Sequence, residues 1–267
     1  MPLTVCATPI GNLEDVTLRV LAALGAADLV LCEDTRRTRL LLDRHGITAR
    51  LVSYHAHNEA RRAAEVLPLL EAGQTVALVS DAGLPGINDP GMRLVAAARD
   101  AGLPVTVLPG PSAVETALVA SGFESEQYQF LGYLPRGARA LAALWDVLAS
   151  WPHAAVAFES PQRLPAALRS LAAAMPDRQV AICRELTKAY EEVSRGPARD
   201  VACRFDAPAR GEITLVIGPA PPRRHPEHGA LEAVAELVAA GMSRRQAASL
   251  VSRLTGLPRN RLYGRSL

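Results

Sequence analysis

A long loop rich in glycine and proline carries side chains that could bind a ligand. It reads Ser80-Asp-Ala-Gly-Leu-Pro-Gly-Ile-Asn-Asp-Pro-Gly91 and follows the apolar run from Thr75 to Val79. Its glycines let the backbone approach a ligand closely, and Asp81 and Asp89 add fixed hydrogen-bond acceptors. A strand-to-helix connection usually has roughly two to six residues, and this one has about twice as many. The loop therefore predicts a ligand site rather than an ordinary connection.

Two further loops have the same chemistry and the same position after an apolar run. Thr8-Pro-Ile-Gly-Asn-Leu-Glu-Asp15 follows the first run, and Pro109-Gly-Pro-Ser-Ala113 follows the run that ends at Leu108. Ser112 and Ala113 open a predicted helix, so they could offer a hydroxyl and backbone N–H groups to a polar ligand. None of the three loops has the spacing of a dinucleotide-binding fingerprint or of a phosphate-binding loop. The sequence therefore disfavours a dehydrogenase and a nucleoside triphosphatase.

Acidic and basic side chains near these loops could move a proton. Glu33 and Asp34 follow the second apolar run, and Glu185 lies close to Lys188 later in the chain. Lys188 is the single lysine against 28 arginines. A lysine could act as a base if desolvation lowered its pKa, or it could hold a phosphate as an ammonium. The sequence leaves both alternatives open, together with the chance survival of one lysine.

Histidines and cysteines give no metal-binding pattern. His55 and His57 are spaced two apart, but no third ligand accompanies them in a convincing pattern, so no metal is predicted. The four cysteines are scattered without C-x-x-C spacing, and Cys6, Cys32 and Cys183 lie in apolar runs. They are typical of buried thiols in a reducing compartment.

No apolar run approaches the roughly 18 residues of a membrane span, and no signal peptide is recognised. We therefore expect a soluble, cytoplasmic protein with no membrane partner.

Strand and helix patterns alternate along the chain and predict an α/β fold. Residues 1–121 are interpreted as an N-terminal doubly wound domain, whose three loops lie at one edge because parallel strands end there. Residues 122–218 are interpreted as a mixed α/β domain that begins with a connection at 122–137. Residues 219–267 are interpreted as a Pro/Arg tether at 219–226 followed by a basic helical tail. The predicted strands of the two α/β domains are 3–7, 29–32, 50–53, 75–79, 105–108, 154–159, 179–184, 190–195 and 212–217.

Two groups of arginines indicate contacts with a polyanion. The tail has no acidic residue beyond Glu236, and its basic side chains include Arg244, Arg245, Arg253 and Arg265. A solvated helix face could also carry these arginines, but the charge asymmetry favours nucleic acid. Arg36, Arg37 and Arg39 follow Asp34, and beside a substrate entrance they would contact RNA phosphates.

Seven short motifs in fixed order carry a resemblance to a known family. They are Thr8-Pro-Ile-Gly-Asn-Leu-Glu-Asp15, Glu33-Asp-Thr-Arg36, Ser80-Asp-Ala-Gly83 with Asp89-Pro-Gly91, Pro109-Gly-Pro-Ser112, Phe158-Glu-Ser-Pro161, Arg184-Glu-Leu-Thr-Lys188 and Gly211-Glu212. Together they resemble the ribosomal RNA small subunit methyltransferase I family, which belongs to the tetrapyrrole-methylase-like class of S-adenosylmethionine enzymes. The resemblance covers nearly the whole chain and implies two α/β/α domains, with the cofactor in the cleft between them, and a small helical C-terminal appendage.

The resemblance also implies a reaction and a set of site residues. The reaction is methylation of a cytidine ribose 2′-hydroxyl in the decoding region of 16S ribosomal RNA, within the small ribosomal subunit, by a homodimer. The implied S-adenosylmethionine contacts are Ile10, Asp81, Leu84, Ser112, Ala113, Phe158, Leu186 and Thr214. From the chemistry of the residues, and not from the resemblance, Lys188, Glu185 and Asp34 are the candidate catalytic residues. Glu33, His55 and His57 are further candidates for a base.

Two other functions remain open from the sequence. A methylase of a tetrapyrrole would share the class, but the arginines of the tail and of 36–39 favour a larger polyanion. A non-catalytic RNA-binding factor for ribosome assembly would need phosphate contacts alone. Such a factor would not need three convergent loops rich in glycine and proline to bind a cofactor, so the sequence favours the methyltransferase.

Overall fold

The computed structural model describes residues 2–124, 126–221 and 226–264, without the side chains of 226–228 and 264. Residues 222–225 of the predicted tether and Arg265 of the tail lie outside the described residues. The chain divides into two compact units, Met1–Pro219 and Ala220–Leu267. The first unit contains two five-stranded sheets and the second contains helices. The predicted fold class is confirmed, whereas the boundary between residues 121 and 122 stays a prediction.

The first sheet is entirely parallel and has the strand order β3-β2-β4-β1-β5. A β-strand that is covered on both faces needs apolar residues throughout, and β2 and β4 are buried at every position. Leu29 and Leu31 of β2 pack in one apolar cluster, while Val30 and Cys32 pack in another on the opposite face. Helices therefore cover both faces of the sheet. The elements are β1 (Leu3–Cys6), α1 (Leu18–Ala26), β2 (Leu29–Cys32), α2 (Thr35–Arg44), β3 (Leu51–Ser53), α3 (Glu59–Glu71), β4 (Val76–Val79), α4 (Met92–Asp100), β5 (Val105–Leu108) and α5 (Ala113–Ser121).

The second sheet is mixed and has the order β6-β7-β10-β8-β9. β6 and β7 are parallel, and the other neighbours are antiparallel. Helix α5 packs on this sheet, because Val114 and Ala117 share an apolar cluster with Val156 and Val216. The elements are β6 (Tyr128–Tyr133), α6 (Ala138–Ala149), β7 (Ala154–Glu159), α7 (Leu164–Ala174), β8 (Gln179–Arg184), β9 (Glu192–Pro197), α8 (Ala198–Arg204) and β10 (Ile213–Ile217).

The interpretation of residues 122–137 as a connection is wrong at strand β6. β6 is a partly exposed edge strand, so it lacks the continuous apolar run that identifies a buried strand. Gly132 has a φ of 66°, and the pairing with β7 shifts in register between Phe130 and Tyr133. A bulge of this kind interrupts the alternation of side chains along a strand. The predicted strand at 190–195 is also displaced, since β9 begins at Glu192.

The second unit has a small core of its own. Its helices are α9 (Pro226–Ala239), α10 (Arg244–Thr255) and α11 (Arg259–Gly264). Apolar side chains of all three helices, among them Val234, Val251 and Leu262, form one buried cluster. α10 ends at Thr255 and is capped by Gly256, which has a φ of 73°, and α11 begins three residues after that glycine. Two helices joined by a short turn with glycine are typical of a helix-turn-helix.

No helix in the described ranges is long and apolar enough to cross a membrane. Within the same ranges, no group of three or more His, Cys, Asp and Glu side chains could hold a metal ion. Cys6, Cys32 and Cys183 are buried free thiols, as predicted, and Cys203 is exposed.

Candidate functional site

The three predicted loops meet at the carboxyl edge of the first sheet. β4 and β5 flank β1 in parallel, so the loops that follow these strands leave the sheet side by side. The Thr8 N–H donates to the Gly83 carbonyl at 2.8 Å, and the Gly83 N–H donates back to Thr8 at 3.0 Å. Gly83 has a φ of 76°, and a Cβ atom there would lie 3.8 Å from the Pro111 carbonyl oxygen of the third loop. Main-chain hydrogen bonds therefore fix the first loop to the second, and the third loop lies close to Gly83.

A cavity of about 360 Å³ opens between these loops and the second sheet. Ligand pockets in proteins typically measure about 300–1,000 Å³. Every cofactor residue implied by the resemblance lines it. The first sheet contributes Ile10, Asp81, Leu84, Ser112 and Ala113, and the second half contributes Phe158, Leu186 and Thr214. The structure thus brings together residues that are up to 204 positions apart in the chain, from Ile10 to Thr214.

One wall of this larger cavity is acidic. Burial, with smaller effects from Glu33 and Asp81, raises the pKa of Asp89 to about 6. Burial also raises the pKa of Glu33, and the Asp81 carboxylate adds to the effect. Asp81 and Asp89 both line the cavity. A cationic ligand would stabilise the negatively charged forms of carboxylates that repel each other in this way. The apolar side chains of Ile10 and Phe158 form other parts of the lining.

A second cavity of about 280 Å³ adjoins the first. It lies between the first loop, helix α2 and Lys188, and Leu40 of α2 is part of its wall. The two cavities share five lining residues, which are Ile10, Arg37, Asp81, Ala82 and Glu212. Because the cavities share these residues, a ligand in one cavity would lie next to a ligand in the other.

Lys188 is held by two carboxylates at this second cavity. Its Nζ lies 2.8 Å from Glu185 Oε1 and 3.1 Å from Glu212 Oε2. The Glu212 N–H also donates to Glu185 Oε1 at 2.9 Å. Burial lowers the pKa of Lys188, but the hydrogen bonds to Glu185 and Glu212 outweigh burial, and the pKa is raised. Lys188 is therefore an ammonium at neutral pH, and the alternative of a desolvated lysine base does not fit this geometry.

The segment that carries Lys188 has an unusual backbone. Glu185 has a φ of 52° and Thr187 a φ of 64°, in the left-handed region that side chains other than glycine seldom adopt. The first loop packs directly on this segment, because the Asn12 N–H donates to Thr187 Oγ1 at 2.9 Å. Only a glycine fits at position 11, where a Cβ atom would lie 2.6 Å from Lys188 Cγ. Strained residues held by tight packing are common at functional sites.

Asp34 lines neither cavity, and its contacts are structural. Its carboxylate caps helix α2 by accepting from the Arg36 N–H at 2.8 Å, and it pairs with the Arg36 guanidinium at 2.7 Å. The hydrogen bonds from Arg36 lower the pKa of Asp34 to about 2. The Asp34 N–H donates to Asp81 Oδ1 at 2.9 Å. Asp34 therefore orients Asp81, and among the three candidate catalytic residues Lys188 alone lines a cavity.

The predicted RNA-binding arginines are divided by the fold. Arg37 lines both cavities, with its Nε 3.6 Å from Asp81 Oδ2. Arg36 is paired with Asp34, and Arg39 donates to the Ala49 carbonyl at 3.5 Å. In the second unit, Arg245 and Arg253 are exposed on α10 and Arg244 is half-buried. The structure gives the positions of these arginines, and the RNA-binding roles of all six stay predictions.

Glu212 is a cavity residue that the sequence analysis left without a role. It belongs to the motif Gly211-Glu212, and the structure places it where the two cavities meet. Gly211 has a φ of 90°, and any Cβ atom there would collide with the Glu185 carboxyl group. The sequence shows only a glycine followed by an acid at these positions. The requirement for glycine at 211 comes from the contact with Glu185, which lies 27 residues before Glu212 in the chain.

The fold and the cavity define a class of enzyme. The family model described as Tetrapyrrole (Corrin/Porphyrin) Methylases matches residues 2–202. Among solved structures, the methyltransferase CobJ aligns with a TM-score of 0.63 and 22% identity, over 82% of this chain and 94% of that chain. A uroporphyrin-III C-methyltransferase from Thermus thermophilus, complexed with S-adenyl homocysteine, has a TM-score of 0.57 and 17% identity, over 82% and 97%. These structures show that the chain has the tetrapyrrole-methylase fold.

Closer relatives narrow the class to one family. A protein of Mesorhizobium japonicum named ribosomal RNA small subunit methyltransferase I is 43% identical over 98% of this chain and 90% of its own length. A protein of the same name from Micromonospora olivasterospora is 45% identical, over 96% and 83%. A model described as the RsmI C-terminal HTH domain matches residues 226–267. The chain belongs to the ribosomal RNA small subunit methyltransferase I family.

Proposed function

We propose that this S-adenosylmethionine-dependent ribosomal RNA methyltransferase methylates a cytidine ribose 2′-hydroxyl in the decoding region of 16S ribosomal RNA. The observation that carries the proposal is the pair of adjoining cavities, one for the methyl donor and one for a nucleotide, in a chain of this family. The tetrapyrrole alternative is less supported, because the uroporphyrin-III C-methyltransferase of Thermus thermophilus is 17% identical to this chain, whereas the ribosomal RNA methyltransferase of Mesorhizobium japonicum is 43% identical.

The larger cavity fits S-adenosylmethionine. Asp81 and Asp89 would face its cationic methionine end, while Ile10, Phe158 and Leu186 would pack against the flat adenine. When bound, the cofactor supplies a methyl group on a sulfonium centre, which is a good leaving group. The main task of the protein is then to orient the donor and the acceptor, which can contribute about 7–11 kcal/mol to lowering the barrier.

The thiol at the cavity argues against methylation of a pyrimidine carbon. Methylation of a pyrimidine carbon through a covalent adduct needs a cysteine thiolate. Cys183 lines the larger cavity, but burial raises its pKa to about 12. Its Sγ faces the Ala117 carbonyl at 3.7 Å. Cys183 is therefore a protonated packing residue, and a hydroxyl nucleophile from the RNA fits the site better than an enzyme-bound base adduct.

The partners and the compartment belong to the same proposal. A homodimer acting on the small ribosomal subunit in the cytoplasm would agree with the family and with free cysteines at positions 6, 32 and 183. The arginines of the second unit would contribute phosphate contacts. A non-catalytic assembly factor would make no use of a donor cavity, so we do not favour that function.

The test is transfer of a labelled methyl group from S-adenosylmethionine to small ribosomal subunits that lack native modification, followed by alkaline hydrolysis of the RNA. A methylated 2′-oxygen cannot attack the neighbouring phosphate, so the label is expected in an alkali-resistant dinucleotide. Label in mononucleotides would move the methyl group to a base and overturn the ribose assignment. No label in subunits or in naked 16S RNA would overturn the proposed substrate.

A further inference from the structure

We propose that the second cavity holds the target nucleotide and that Glu212 accepts the proton of its 2′-hydroxyl. The inference rests on the proposed function and adds to it the location of the nucleotide and the identity of the base. The evidence for it is the position of Glu212, which lines both cavities where they meet. A group that assists methyl transfer must stand at this junction, because the attacking oxygen and the methyl carbon meet there.

The second cavity has the chemistry of a nucleotide site. Its wall combines the apolar side chain of Leu40 with the cationic groups of Arg37 and Lys188. A nucleotide presents a flat base and charged phosphates, which match apolar and cationic surfaces respectively. Leu40 is 65% exposed although it is large and apolar, so α2 offers a surface on which a base can pack. The Arg37 side chain is 59% exposed, so a phosphate of a longer chain can reach its guanidinium.

Glu212 is held so that one carboxylate oxygen is oriented. Lys188 Nζ lies 3.1 Å from Glu212 Oε2, and the Glu212 N–H is bonded to Glu185 Oε1. The Glu212 side chain is 61% exposed, whereas that of Glu185 is 18% exposed. Glu185 therefore serves as the buried anchor and Lys188 as the link between the two acids. Lys188 and Glu185 are positioning residues in this arrangement, and Glu212 is the catalytic residue.

The chemical step balances with these groups. The ribose 2′-oxygen forms a bond to the methyl carbon, and the bond between that carbon and sulfur breaks with its electron pair staying on sulfur. The hydroxyl proton passes to the Glu212 carboxylate. The sulfonium charge is lost in the same step, so the product is a neutral thioether and a methylated ribose. A positioned base of this kind contributes about 10²–10⁴ in rate.

The first experiment compares Glu212→Gln with the wild-type protein in single turnovers on undermethylated small subunits. We expect the rate of methyl transfer to fall by about 10²–10⁴, with S-adenosylmethionine affinity by calorimetry unchanged. Glu192→Gln is the matched control, since Glu192 is an exposed glutamate paired with Arg184 at 2.9 Å and lies outside both cavities.

The second experiment fills the proposed nucleotide cavity with Leu40→Trp. Because Leu40 is largely exposed, this change leaves the core intact, and we expect KM for the subunits to rise roughly tenfold or more at unchanged cofactor affinity. Val147→Trp, at a 63% exposed residue of α6, is the control for an added surface tryptophan.

The outcomes separate the two proposals. If the wild-type protein forms no alkali-resistant dinucleotide, the proposed function fails whatever the variants do. If it forms the dinucleotide while Glu212→Gln keeps the wild-type rate, Glu212 is not the base. If Leu40→Trp keeps the wild-type KM, the nucleotide lies elsewhere. A Glu212→Gln protein that loses cofactor affinity would make Glu212 a donor-site residue and overturn its assignment as the base.

Discussion

The acidic wall of the larger cavity shows how neighbouring residues set the charge of one side chain. Asp89 is an ordinary aspartate in a Gly/Pro-rich loop, yet burial and the carboxylates of Glu33 and Asp81 raise its pKa to about 6. In the free protein it therefore gains its negative charge close to neutral pH. A sulfonium ligand stabilises the charged form, so cofactor binding and ionisation of Asp89 are linked.

This linkage predicts that S-adenosylmethionine binds more tightly as the pH rises through about 6. Below that pH Asp89 is neutral and offers no attraction, and above it the carboxylate faces the cation. The dissociation constant should fall by about fivefold between pH 5 and pH 7, because an ion pair of partial exposure contributes about 1 kcal/mol. Calorimetry across this range measures it. The Asp89→Asn protein should lose this part of the pH dependence, and a variant that retains it would contradict the role of Asp89.

The role of a single residue could be predicted from the sequence only where its neighbours in the chain determine that role. The cofactor residues carried over from the motifs all line one cavity. Asp34 was named as a catalytic candidate because of its type and its place after a strand, but it caps α2 and binds Arg36. Lys188 could be a base or an ammonium on sequence grounds, and the choice depends on its hydrogen bonds to Glu185 and to Glu212, the second of which is 24 residues away.

At the scale of elements, the first loop and the segment 185–188 form one packed unit. Gly11 lies against Leu186 and Lys188 with no room for a side chain, since a Cβ atom would come within 2.7 Å of the Leu186 carbonyl. The Asn12 N–H is bonded to Thr187. Loop and segment together form part of both cavities, so a small separation between them moves Ile10 and Lys188 apart.

We therefore predict that Gly11→Ala lowers methyl transfer more than it lowers stability. The added methyl group must push the main chain of 185–188 away, and misplacement by about 1 Å can cost about 10²-fold in rate. Gly137→Ala is the control, because a Cβ atom there meets nothing within 4 Å. Single-turnover rates and urea unfolding of both variants measure the effect. Equal rates for Gly11→Ala and Gly137→Ala would show that this contact does not position the site.

Most elements followed from apolar periodicity, and the exceptions have physical reasons. The strands of the first sheet are buried on both faces, which makes them continuous apolar runs. β6 was missed because it is an edge strand with a bulge at Gly132. α8 was missed because it has only seven residues, two of which are a paired Arg199 and an exposed Arg204.

At the scale of the whole molecule, the chain joins a two-sheet methylase unit to a basic helical unit. The convergence of the three loops could be predicted, because parallel strands end at one edge of a sheet. The contact of the first loop with 185–188 could not, because Asn12 and Thr187 are 175 residues apart and lie beside different sheets. The second unit could be predicted as helical and basic, while its short turn at Gly256 became visible in the structure alone.

The second unit predicts a salt-dependent contribution to RNA binding. Changing Arg244, Arg245 and Arg253 together to alanine should weaken binding to small subunits and reduce the slope of log affinity against log salt by about two to three units. Each arginine that contacts a phosphate releases condensed counterions, and their loss lowers the slope. Binding titrations at several salt concentrations measure it.

A matched triple variant controls for net charge. Arg19, Arg61 and Arg139 are exposed arginines of the first unit, and changing all three to alanine removes the same charge. We expect a smaller change in slope, because these side chains lie outside both cavities and outside the basic tail. Equal slopes for the tail variant and the wild-type protein would make the tail arginines a solvated helix face.

The lone lysine has a practical consequence for labelling chemistry. Since the chain has one lysine, an amine-selective acylating reagent can modify a side chain at a single position, and that position lies on the wall of the smaller cavity. Acylation needs the neutral amine, and pairing with Glu185 and Glu212 holds Lys188 in its charged form. Its acylation should be slow in the free protein and should accelerate when either carboxylate is neutralised. A reporter dye attached there would sense the junction of the two cavities without any engineered cysteine.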